Sequence, residues 1–81
     1  MRIHVLAFAR LRELLGAPGT TLELPAGARA QDAWAALVER APALDEQRGC
    51  TRIARNGALV PFDETLEEGD ELAVLPPVGG G

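Results

Sequence analysis

The segment AQDAWAALVERAP, residues 30–42, most limits what this chain becomes. Trp34, Leu37, Val38 and Ala41 stand at i, i+3, i+4 and i+7, one apolar stripe along a helix. Pro42 supplies a stop. The start is weakly signalled, because Ala28, Arg29 and Ala30 offer no capping side chain and Asp32 comes late. A helix with a single apolar face must bury it against another layer. The rest of the chain offers strands for that layer.

MRIHVLAFA, Met1 to Ala9, alternates: Ile3, Val5 and Ala7 point one way, His4, Leu6 and Phe8 the other. RLRELLG is a short helical turn with Leu11, Leu14 and Leu15 as its apolar side and Gly16 as its stop. After a turn at Ala17, Pro18 and Gly19, TTLELP gives a second strand with Leu22 and Leu24 on one face. ALDEQRGC, behind the main helix, reads as a loop. TRIARNGALVPF is a hairpin about Asn56-Gly57, the strongest short turn signal present. Glu67, Glu68, Gly69 and Asp70 form an acidic turn, and ELAVL, Glu71 to Leu75, is the last strand. The order ββαβββ predicts an α+β fold, one main helix on one face of a mixed sheet. The first and last strands then lie side by side in the centre, with the chain end at one sheet edge. Eighty-one residues leave room for one domain.

Composition excludes much of catalysis. The sequence has no serine, lysine or tyrosine, one histidine (His4) and one cysteine (Cys50). Serine triads, lysine Schiff bases and P-loop lysines are therefore excluded, as are an intramolecular disulfide and a zinc cluster. A net charge of −4 disfavours nucleic acid and suits a partner with a positive docking face. No apolar run approaches the ~20 residues of a membrane span, and no signal peptide is evident, so a cytoplasmic protein is expected. His4 reads as a half-exposed strand residue. Cys50 reads as a packed or solvent-facing thiol, although Arg48 and Arg52 flank it. EEGDE, residues 67–71, lacks the spacing of a calcium loop and reads as a solvated turn.

Two features ask for a partner. Strand parity puts Leu6 and Phe8 on the face opposite Ile3 and Val5, and Ala73 and Leu75 opposite Leu72 and Val74. If the helix covers one face only, Leu6, Phe8, Leu59 and Leu75 are left as an apolar group on the open one, the usual mark of an interface. The chain then closes on LPPVGGG. Pro76 and Pro77 cannot donate to a ladder, so the strand ends there and the path stays extended. From Pro76 the tail spans roughly 20 Å at ~3.3–3.6 Å per residue. Gly79, Gly80 and Gly81 carry no Cβ and fit a narrow channel. Ordering them costs ~1–2 kcal/mol per residue, which a partner must offset.

VLAFARLRELLG, RNGALV, FDETLEEGDELAVLPPV and the terminal Gly-Gly together resemble the small-subunit family of molybdopterin synthase, over essentially the whole chain. The resemblance implies a ubiquitin-like β-grasp domain over residues 1–75 and a flexible tail over 76–81. It also implies a sulfur carrier. The Gly81 carboxylate, on a tail that includes Gly80, would be activated by an ATP-dependent adenylating enzyme. A sulfur donor would then turn it into a thiocarboxylate. The large synthase subunit would take the sulfur into a pterin precursor, in a heterotetramer of two small and two large subunits. Phe8, Leu59 and Leu75 fall where that family places its apolar docking surface. The chain itself binds no cofactor on this reading, ATP belongs to the activating partner, and the protein is a non-catalytic carrier. Gly79 makes the ending looser than the family requires, and Arg29 stands where relatives tend to cap the main helix. Carriers for thiamine or tRNA thiolation, a ubiquitin-like protein modifier, and an interaction domain with an inert tail are the alternatives.

Overall fold

The computed structural model describes residues 1–77. Its elements run β1 (Arg2–Ala7), α1 (Ala9–Leu15), β2 (Gly19–Glu23), α2 (Ala30–Arg40), β3 (Arg52–Arg55), β4 (Ala58–Val60) and β5 (Glu71–Leu75). The sheet order is β2-β1-β5-β3-β4. β1 and β5 are parallel, and the other neighbours are antiparallel. The expected mixed sheet with its adjacent first and last strands is therefore present. β5 is the middle strand of five, as expected; one detail differs, since the chain then leaves from the centre of the sheet and not from one of its edges.

Strand parity builds the core. Ile3, Val5, Ala7, Leu22, Ile53, Leu72 and Val74 line the covered face, and each is buried. Onto them α2 lays Ala30, Ala33, Trp34 and Leu37, while α1 adds Leu11. Val38 and Ala41, the rest of the expected stripe, pack at its margin. The indole of Trp34 meets the Phe62 ring edge-on, with centroids 6.3 Å apart.

Three departures from the sequence reading have local causes. The stretch read as a loop after α2 is a 3-10 helix, Pro42–Cys50, anchored by the buried Leu44. The missing side-chain cap of α2 is replaced from elsewhere: the Ala30 and Gln31 amides donate to the carbonyls of Glu64 and Phe62 at 2.9 and 2.7 Å. The Asp32 carboxylate adds half a capping box by accepting the Arg29 amide at 2.8 Å; arginine has no acceptor with which to return the bond. Finally, β1 stops at Ala7 because Ala9 takes φ +50° and turns the chain directly into α1. A left-handed alanine costs roughly 1 kcal/mol.

Both lateral edges are blunted. Arg40 of α2 donates to the Thr20 hydroxyl and, at 3.2 Å, to the Thr21 carbonyl of β2. β4 has only three residues and is followed by Pro61.

Candidate partner-docking face

On the open face the register brings side chains into rows that cross the sheet. The central row is Gly19, Leu6, Ala73, Ala54 and Leu59, one residue from each of the five strands. All are apolar or glycine. A Cβ at Gly19 would lie 2.5 Å from the Val5 carbonyl oxygen, so only glycine lets β2 approach β1 this closely. Leu6 is 37% exposed, Phe8 44% and Leu59 60%, large values for aliphatic and aromatic side chains in a sheet. Leu75 is half-buried, one side-chain repeat beyond Ala73 along β5. The expected apolar group is thus present and partly in water. Ala73, placed on this face by parity, and Ala54, which sequence reasoning missed, join its large members into a band; only the strand register reveals Ala54.

The band has unlike borders. Where β5 ends, Leu75 is paired with Arg52, whose side chain is exposed. Where β5 begins, Glu71 is the neighbour of His4, and both are exposed. Beside Arg52 a cleft of about 470 Å³ opens at the root of the tail, lined by Cys50, Arg52, Leu59, Val60, Phe62 and Pro77, among others. The Arg48 guanidinium lies over the Phe62 ring, 3.4 Å from its centroid. The Cys50 thiol is exposed and donates to the Gln47 carbonyl at 3.4 Å. Gly80 and Gly81, the tail residues singled out from the sequence, lie outside the described residues.

The acidic turn needs correction. Glu67 and Glu68 are exposed, but Asp70 is only 6% exposed and organises the start of β5. Its carboxylate accepts from Arg55 Nε at 2.6 Å, from the Asn56 side-chain amide at 2.9 Å and from the Glu67 backbone amide at 2.8 Å. Burial pushes this carboxyl up; the Glu67 amide, Arg55 and Asn56 together outweigh that and hold it below its ordinary value. Hydrogen bonding to Asp70 in turn raises the Arg55 guanidinium, which also meets Glu64 at 3.1 Å and Glu67 at 3.6 Å. Asn56 completes the clasp by accepting the Glu71 amide at 3.0 Å. The Asn56-Gly57 turn, with φ +49° and +87°, is therefore a hairpin turn and also the strap over the start of β5.

Among the described residues, no three of His, Cys, Asp and Glu gather into a metal-binding group. No helix there is long and apolar enough to cross a membrane.

The sequence pattern of the ThiS family matches residues 5–81. The chain belongs to the ThiS family. Two relatives are each named molybdopterin synthase sulfur carrier subunit. The one from Arabidopsis thaliana is 41% identical, covering 100% of this chain and 84% of the relative. The one from Escherichia coli K12 is 42% identical, covering 98% and 99%. Among solved structures, SAMP1 from Haloferax volcanii superposes with a TM-score of 0.87 at 33% identity, covering 100% of both chains. A chain from the complex of subunits 1 and 2 of the molybdopterin-converting factor of Helicobacter pylori gives 0.68 at 26%, again covering 100% of both. This ThiS-family chain therefore has the ubiquitin-like β-grasp fold, and its relatives include sulfur carriers.

Proposed function

We propose that this chain is the sulfur-carrier small subunit of molybdopterin synthase. The observation that carries the reading is identity of 41–42% to sulfur carrier subunits over nearly the whole chain. Residues 1–75 serve as the platform and residues 76–81 as the arm. An activating enzyme brings ATP, and a carboxylate oxygen of Gly81 attacks its α-phosphorus and expels pyrophosphate. The acyl-adenylate now has a good leaving group, and hydrosulfide released by a sulfur donor attacks the acyl carbon and displaces AMP, leaving a thiocarboxylate. The large subunit then draws the sulfur into a pterin precursor. Nucleotide and pterin sites belong to these partners, since this sequence lacks the lysine and serine that such chemistry commonly uses.

The band of Leu6, Phe8, Leu59 and Leu75 supports the docking step. It lies on the open face and runs to the place where the tail leaves β5. A partner seated there receives the tail without a long search, because the segment between them is short. The likeness to SAMP1, a small archaeal modifier protein, supports a second reading in which Gly81 is joined to lysines of other proteins.

Intact-mass measurement after incubation with the activating enzyme, ATP and a sulfur donor separates the two. Exchange of one oxygen for sulfur at the terminus is expected, and it disappears when Gly81 is deleted. Covalent attachment to other proteins without such an exchange would establish the modifier instead.

A further inference from the structure

The two borders of the apolar band differ in charge, and both lie along β5, the strand that leads into the tail. Glu71 opens β5 and Leu75 closes it, about 13 Å apart at ~3.3 Å per residue. Both side chains stand on the open face with Ala73 between them. Beside Leu75 stands Arg52, which, like Arg12, Arg29, Arg40 and Arg48, has no ion-pair partner among the described residues; Arg2 and Arg10 each have one and Arg55 has three. Glu71 likewise has none there. Nothing in the fold uses either charge, yet each sits at one end of the surface a partner would cover.

From this arrangement we infer that Arg52 is a positioning residue for docking: it meets a carboxylate on the protein that receives the tail, beside the cleft at the tail's root. The inference rests on the docking reading above and adds the partner's chemistry. The complementary surface is an apolar patch edged by an acidic side chain at the end where the tail enters, and by a basic one at the opposite end. A seat reversed along β5 sets Glu71 against the acid and Arg52 against the base, and both contacts repel. The tail then enters from one direction only.

A carboxylate carried by a protein is favoured over a free anion. Arg52 lines an open cleft and Arg48 lies over its Phe62 wall; exposed guanidinium groups there hold a small ion weakly. A carboxylate already held nearby by the apolar band loses little further freedom on pairing. A second copy of this chain is disfavoured by the net charge of −4 on each. The positive docking face suggested by overall charge is thereby refined: the partner's charge is divided between two ends.

Titration of the full chain with its cognate large subunit, at two salt concentrations, tests this. Arg52→Glu is expected to weaken binding at least about tenfold and to flatten the salt dependence, and Glu71→Arg to weaken it by a smaller factor. Both should unfold at the parent's midpoint, since both residues are exposed. Binding by Arg52→Glu within twofold of the parent, while Leu59→Arg binds poorly, would overturn the role of Arg52 and leave the docking face intact. Unchanged binding by Leu59→Arg as well would overturn the docking face and the inference with it. Sedimentation of the chain alone showing a dimer that Arg52→Glu dissociates would assign the surface to a second copy and overturn the inference.

Discussion

The two faces of this sheet are made from the same strands and nearly the same residue types, and they meet opposite fates. On the covered face Ile3, Val5, Ile53, Leu72 and Val74 are sealed under α2. On the other, Leu6, Phe8 and Leu59 stay partly in water although they are as apolar. On the proposed reading, stability resides on the first face and recognition on the second, divided by a one-residue alternation. A chain with a single long helix covers one face only. The second apolar face remains available to another protein.

Substitutions can break that division, and the largest effect belongs to the covered face. Leu72→Ala removes a fully buried side chain from the middle strand and should cost about 2–5 kcal/mol of unfolding free energy. Chemical denaturation followed by the fluorescence of Trp34, the single tryptophan, measures it. Next comes Phe8→Arg on the open face. It should weaken pairing with the large subunit about 100-fold, or about 2.7 kcal/mol, by setting a charge in an apolar contact, while the unfolding midpoint stays put. A matched loss of stability would show that Phe8 serves the fold.

The clasp at the start of β5 sharpens the comparison, because it holds the strand without contributing to either face. Asp70→Asn should cost about 2 kcal/mol at neutral pH, as hydrogen bonds to a buried carboxylate are weakened; Arg55 is partly in water and keeps Glu64 and Glu67, which limits the loss. The sign with pH follows from the direction of the shift. The folded carboxyl titrates below its unfolded value of about 3.9, so its contribution is complete above that value and vanishes as pH falls through the lower folded one. Acid unfolding of the parent should therefore be steeper below about pH 4 than that of Asp70→Asn. Equal slopes would remove Asp70 from the account. The smallest effect belongs to the turn: Gly57→Ala, at φ +87°, should cost about 1 kcal/mol, read as a shift in the denaturation midpoint.

What the sequence made legible were features carried by neighbouring residues. The alternation of β1, the stripe of α2 and the Asn56-Gly57 turn all follow from local period and turn chemistry. The illegible parts join distant segments. Asp70 reads as one more acid in a turn until β3 brings Arg55 beside it, fifteen positions away. The carbonyls of Phe62 and Glu64 substitute for a missing cap at Arg29, and no pattern around residue 29 announces them. The 3-10 helix at Pro42–Cys50 has a single buried anchor, Leu44, too few to show a period. For the candidate site, Leu6, Phe8, Leu59 and Leu75 were legible from parity. Ala54 and the cleft at Pro77 emerge only once five strands are in register.

The most direct test of the division between faces is a methyl NMR titration of the full chain with the large subunit. The account predicts that the methyls of Leu6, Leu59 and Leu75 shift or broaden, while those of Leu22, Leu37 and Leu44 beneath the sheet hold their positions. Changes centred on Leu37 and α2, with Leu59 unmoved, would contradict it.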